Sequence, residues 1–248
     1  MHRARAVVLF ALVFSCCSAF SQPAPLPAYY SRLNTFGIFG EYSNDSSHII
    51  LGTAENRKLL DFGGTYSRRV LLNRFVEGQY MLELRPIMLE SDPLAHQTIH
   101  STSPPPPFTV TSEFATVQAC HPFSATFTSV LQGVTYSNTT TLTCGRQWTF
   151  GEGFSPLGFK WSFRPRHRIQ PVISLLGGYM FATKPIPVAS AGSWNFTLEF
   201  GGGVEWYRSA TRSIRLEYRI HHISNAYTAS ANPGIDSGLF QMTYSFGH

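Results

Sequence analysis

From residue 156 to residue 246, apolar and polar side chains take turns along the chain. Leu157, Phe159, Trp161 and Phe163 alternate with Gly158, Lys160, Ser162 and Arg164. Phe196, Leu198 and Phe200 alternate with Thr197 and Glu199, and Ile214, Leu216, Tyr218 and Ile220 with Arg215, Glu217, Arg219 and His221. Phe240, Met242, Tyr244 and Phe246 repeat the pattern around Gln241, Thr243 and Ser245. A period of two is the period of a β-strand, whose successive side chains point to opposite faces. The chain is 43% hydrophobic and 14% aromatic, yet its mean hydropathy is −0.05. Past the first 21 residues no apolar run is long enough for a membrane helix, which needs about 20 residues.

Alternation of this kind serves a soluble sandwich or a membrane barrel. Two observations favour the barrel. The apolar face carries Trp161, Phe200, Trp206 and Tyr244, which a small closed interior could hardly hold. The opposite face carries Arg215, Glu217 and Arg219, with Glu199 and Glu205 on the preceding strand. Facing inward, such charges can pair in a polar lumen while the aromatic face meets lipid. The expected fold is all-β, an eight-stranded antiparallel transmembrane β-barrel, where the membrane setting rests mostly on the family resemblance given below. Its strands are expected at about 35–53, 58–68, 78–89, 156–164, 170–181, 194–207, 213–224 and 236–246. Ser43-Asn44-Asp45-Ser46 interrupts the first of these, which reads either as one bulged strand or as a hairpin. The barrel domain would span 34–248.

Residues 1–21 read as a signal peptide. Arg3 and Arg5 precede an apolar stretch from Ala6 to Phe14, and Ala19 and Ser21 flank a cleavage point before Gln22. A rival reading takes Val13-Phe14-Ser15-Cys16 as a lipoprotein signal. Residues 22–33 are a Pro-rich leader, expected to be loose. The irregular stretch from about 90 to 153 is expected as a long extracellular loop, part of which, around Phe108 to Val117, reads as extra β-structure. Cys120 and Cys144, the two cysteines beyond the leader, either form a disulfide or remain unlinked; an even pair in an exported chain favours the bond. The formal charge of +5 lacks any dense basic block, which argues against a nucleic-acid groove.

The chemistry-bearing cluster is His221-His222-Ile223-Ser224-Asn225, followed by Asn232-Pro233-Gly234-Ile235-Asp236. His222 and Ser224 share a strand face, and a carboxylate at Asp236 could orient the histidine; a His activating a Ser is a hydrolase arrangement. Polar groups at a strand end are also common without any catalytic role. His221 faces the other way and reads as a lumen residue. Neither the adjacent histidines nor the cysteines have metal-ligand spacing, so no metal site is expected.

His222-Ile223-Ser224-Asn225, with an acidic residue fourteen positions after the histidine, resembles the signature of the lipid A 3-O-deacylase family, outer-membrane enzymes of the PagL type. The resemblance covers about 154–246 and is loose over 34–90. It implies a cofactor-free esterase in the bacterial outer membrane, with lipid A or lipopolysaccharide as substrate and partner. It gives His222 the role of base, Ser224 of nucleophile, Asp236 of orienting acid and Asn225 of oxyanion donor. The departure is Asp236, where the family has Glu. Two other functions fit the residues: a phospholipid acyl hydrolase and a non-catalytic structural barrel. The pattern does not fix an oligomeric state.

The leader reading is testable by intact mass of membrane-extracted protein. A chain starting at Gln22 without lipid is expected; a diacylated chain starting at Cys16 would refute it.

Overall fold

A computed structural model describes residues 29–102 and 107–248, so the leader and most of the Pro-rich segment lie outside the described residues. Ten strands form: β1 (Asn34–Ser43), β2 (Lys58–Leu72), β3 (Val76–Ser101), β4 (Phe108–Ala115), β5 (Phe123–Leu131), β6 (Val134–Phe163), β7 (Ile169–Ala182), β8 (Trp194–Tyr207), β9 (Arg212–Ser224) and β10 (Ile235–Gly247). They make one ten-stranded sheet in the order β4-β3-β2-β1-β10-β9-β8-β7-β6-β5, with a further β3–β6 pairing. Every strand pair is antiparallel.

The expectation of an eight-stranded transmembrane barrel is therefore corrected: the sheet has ten strands. The difference lies in 90–153, expected as a loop. β3 runs on to Ser101 and β6 starts at Val134, making them 26 and 30 residues long against 13 or 14 for β7 to β10. β4 pairs with the far part of β3, and β5 with the far part of β6. β4 and β5 are exposed along nearly their whole length, so burial imposes little contrast between their faces, whereas 90–95 of β3 is buried throughout. The threonines of this region suit a strand nevertheless. Thr98 pairs with Thr111 and Thr141, and the Thr126 and Thr139 hydroxyls lie 2.9 Å apart across β5 and β6. Cys120 and Cys144 are disulfide-bonded, with Cα atoms 5.8 Å apart, tying the β4–β5 connection to β6. The first expected strand also ends early: β1 stops at Ser43, and 44–57 is an irregular segment joined to β10 by two isolated bridges.

The distribution of polarity inverts that of a water-soluble protein. Phe36, Ile38, Leu198, Phe200, Trp206, Leu216, Tyr218, Phe240, Met242 and Phe246 are exposed, whereas Glu83, Arg85, Lys160, Glu199, Glu205, Arg215, Glu217, Arg219 and His221 are buried. The inward charges pair. Arg219 reaches Glu83 at 3.0 Å, Glu217 at 2.8 Å and Glu199 at 3.2 Å. Arg85 reaches Glu199 at 2.6 Å, Glu41 at 2.8 Å and Glu83 at 2.9 Å. Nearer the end with the short turns, Glu205 accepts from Lys160 at 2.6 Å and from Arg32 at 2.9 Å. Arg32 lies in the segment expected to be loose. Instead it is buried, as is Tyr30, whose backbone N–H bonds Pro165 O at 2.7 Å.

Two prolines mark where this inward row changes parity. In β3 the buried charges stand at odd positions up to Arg85 and at even positions from Met88, and the β3–β6 register shifts between Arg85 and Met88, around Pro86. In β6 the buried row changes from Ser155 to Gly158 across Pro156, where the β6–β7 register also shifts. A bulge is where a proline can sit in a strand, since no ladder hydrogen bond is needed there.

Removing the Arg219 side chain would leave three buried carboxylates short of a partner. Arg219→Ala is expected to cost about 3–5 kcal/mol of stability, read as a lower urea midpoint in detergent. An unchanged midpoint would show that the network does not hold the sheet.

Candidate active site

The short connections, 73–75, 164–168 and 208–211, gather at one end of the sheet, and 44–57, 183–193 and 225–234 at the other. β9 ends at this second end. Its even positions face outward, through Leu216 and Tyr218, and His222 and Ser224 continue that row. His221 faces inward, fully buried, with Nε2 3.7 Å from Glu199 Oε1. The register pairs His222 with Leu198 on β8 and with Asp236 on β10, and Ser224 with Phe196. Leu198 and Phe196 are exposed, so the polar row ends within an apolar outer surface.

The structure brings His222 and Asp236 together. His222 Nδ1 lies 2.5 Å from Asp236 Oδ1. Because a carboxylate can only accept, Nδ1 carries the proton in this pair. The His222 side chain retains 14% of its exposure, whereas that of Asp236 has none.

Ser224 is held by a residue that carried no role in the sequence reading. Its Oγ lies 2.9 Å from Asn232 Nδ2 and 3.1 Å from Asn232 Oδ1, and it accepts from Ala226 N–H at 3.2 Å. Among the hydrogen bonds of the described residues, none joins Ser224 to His222. Asn225 is buried; its Nδ2 donates to Ala231 O at 2.7 Å, and its Oδ1 accepts from Tyr227 N–H at 2.9 Å. The Asn225 side chain thus shapes the turn after β9, and the amide beside the serine hydroxyl is that of Asn232. Asn232 opens the Asn-Pro-Gly turn before β10, a signal visible in the sequence without a role attached.

A second missing element is the segment between β1 and β2. The backbone N–H groups of Ile49, Ile50, Leu51 and Gly52 all point at Asp236 Oδ2, at 3.2, 2.5, 2.9 and 2.9 Å. Nothing local in Ile49-Ile50-Leu51-Gly52 announces this, because the partner lies far off in the chain. Further along the segment, Glu55 accepts from Ala119 N–H at 3.2 Å and pairs with His48 at 3.0 Å; these contacts, the Ala119 bond first, hold its carboxyl below the ordinary range. The rim of the site carries the exposed apolar side chains Ile49, Ile50, Leu51 and Tyr227. Among the described residues no group of three or more His, Cys, Asp or Glu side chains is arranged to hold a metal ion.

A family model described as "Lipid A 3-O-deacylase (PagL)" matches residues 123–245, just under half of the chain. No curated protein matches the chain. Among solved structures, the outer membrane enzyme PagL is similar with a TM-score of 0.46 at 12% identity, over 87% of this chain and 99% of that one. Neisserial surface protein A (NspA) follows with a TM-score of 0.38 at 9% identity, over 86% and 97%. LpxR from Salmonella typhimurium has a TM-score of 0.25 at 7% identity, over 86% and 100%. The similarity to PagL-type outer-membrane acyl hydrolases is thus distant and, for the family model, partial.

Proposed function

We propose that this chain is an outer-membrane esterase that removes the 3-position ester-linked acyl chain of lipid A. The observation that carries the reading is the outward row His222–Ser224, with Asp236 bonded to His222, set in an apolar surface. Polar groups on a lipid-facing surface are costly and mark function. The partial family match, whose span contains all three residues, supports the choice of substrate.

In this reading the apolar outer face lies in the membrane and the site sits near the outer leaflet. An acyl ester at the boundary of headgroup and hydrocarbon reaches Ser224 without leaving the bilayer. Asp236 holds the His222 ring with its Nδ1 protonated. His222 Nε2 takes the proton of Ser224 as Oγ attacks the ester carbonyl, and then gives it to the leaving sugar oxygen as the ester C–O bond breaks. Water, deprotonated by His222, then attacks the acyl carbon, and His222 returns the proton to Ser224 Oγ as the acyl–Oγ bond breaks. The Asn232 amide, already beside Oγ, is the side-chain donor best placed for the oxyanion. Asn225 contributes by holding the turn that carries it. Substrate entry draws the Ser224 hydroxyl from Asn232 towards His222; catalytic hydrogen bonds often tighten only in the substrate complex.

Mass spectrometry of lipid A from cells with and without the protein tests the reaction. Loss of one hydroxyacyl chain is expected. Unchanged lipid A with release of ordinary fatty acid would point to phospholipid instead, and no hydrolysis at all to a non-catalytic protein. With purified lipid A in detergent, Ser224→Ala or His222→Ala is expected to lower turnover about 10³-fold or more, with the fold retained. Near-full activity of Ser224→Ala would refute the assignment.

A further inference from the structure

The four amides on Asp236 do more than close a loop. Asp236 lies on the outer face of β10, where the strand ladder uses only backbone groups and supplies no partner for a side chain. Its carboxylate is nevertheless fully buried. Burying a charged carboxylate is costly unless it is hydrogen-bonded. The segment between β1 and β2 provides that bonding, with Ile49, Ile50, Leu51 and Gly52 converging on Oδ2 and leaving Oδ1 to His222. Successive backbone N–H groups around one anion form a nest, a concavity that fixes negative charge in place.

The arc is strapped to the strand it serves on both sides of the acid. Ser46 bridges Ser237, and Ala54 bridges Ile235. Ser47 N–H donates to Asp236 O at 3.0 Å, Thr53 N–H to Pro233 O at 2.7 Å and Ala54 N–H to Gly234 O at 3.1 Å. The closest approach is at Gly52. A Cβ there would stand 2.6 Å from Asp236 N and 2.9 Å from Asp236 Cγ, so only glycine lets the backbone come down onto the carboxylate. With Oδ2 held from one side, Oδ1 has one direction left, and it points at His222.

We propose that the Ile49–Gly52 arc is a positioning element of the active site, which fixes the Asp236 carboxylate through four backbone amides and thereby sets the orientation and tautomer of His222. The inference rests on the esterase reading above and adds to it residues from the opposite end of the sequence. None of them touches substrate in this role; the arc acts on the histidine only through the aspartate.

The test uses the purified full chain in detergent, a fluorophosphonate probe that reacts with an activated serine, and proton NMR of the low-field His222 Nδ1 resonance. Gly52→Ala pushes the arc off Asp236, and Leu51→Pro deletes one of the four N–H groups without touching a buried side chain. Each is expected to slow labelling of Ser224, the first by about 100-fold, the scale of a misplacement near 1 Å. Each is also expected to shift or abolish the low-field resonance. In an Asp236→Ala background neither is expected to slow labelling further, since the arc then has nothing to hold. Labelling at the wild-type rate with an unchanged resonance overturns the inference. An equal slowing in both backgrounds also overturns it, by showing a general structural effect. A wild-type chain that is not labelled at Ser224 overturns the esterase reading instead, and the resonance still reports whether the arc holds the Asp236–His222 pair. Should Gly52→Ala fail to fold, Leu51→Pro carries the comparison.

Discussion

Arg219 and Arg85 sit at the centre of the ring of paired strands, each bonded to three carboxylates, and the rest of the molecule is arranged around that fact. Charges taken out of water must be paired, and a half-paired set is worse than none. Glu83 and Glu199 each bridge the two arginines, so four strands, β1, β3, β8 and β9, contribute to one cluster. Once these side chains face inward, the alternate residues on every strand face outward. A strand has only two faces, and a slip of one residue would carry the whole charged row to the outside. The apolar outer surface is the other half of the same constraint.

That constraint also selects between the neighbouring histidines. Arg219 faces inward on β9, so His221 does too, and His222 and Ser224 must face out. The outward placement of the His222–Ser224 row is thus a consequence of where the arginines lie. The bulges at Pro86 and Pro156 let β3 and β6 keep polar groups inward along most of their length while their far ends leave the ring to pair with β4 and β5. The disulfide between Cys120 and Cys144 secures this projecting part, which has little buried apolar surface of its own.

What the sequence revealed follows from this. β7 to β10 lie within two residues of where alternation put them, because one face is charged and the other aromatic, and the contrast is strong at every step. Cys120 and Cys144 pair as their even count suggested. The pairing of Glu199, Glu205 and Glu217 with basic partners was legible, since buried charge of one sign demands the other; Lys160, Glu83 and Arg85 were not assigned to it, because their strands change parity, nor was Arg32, which precedes β1 in the segment read as a loose leader. β4 at Phe108–Ala115 falls where extra β-structure was expected, around 108–117, whereas β5 was illegible, since its faces are largely exposed and burial selects little contrast between them. His222 and Asp236 could be matched by spacing because they are cross-strand partners in one hairpin. The 49–52 arc could not, because its contact with Asp236 depends on β1 and β10 being neighbours, which only closure of the sheet order brings about.

The three polar groups of the site are held by different parts of the molecule. Asp236 is gripped by the arc, His222 is gripped by Asp236, and Ser224 is gripped by Asn232 from the turn before β10. The first two holds are strong, since one partner is a carboxylate and charge-assisted hydrogen bonds exceed neutral ones. The third joins an amide to a hydroxyl, both neutral. In the proposed reaction a bound ester therefore moves the serine before it moves the histidine. The Ser224 hydroxyl is the softest part of the arrangement, and it is also the only one of the three that has to change partners during the proposed reaction. In the proposed reaction the His222–Asp236 pair sets the direction in which the proton leaves, and the Asn232 amide, its Oδ1 still held by the Asn225 N–H at 3.1 Å, presents Nδ2 to the oxygen on which negative charge develops.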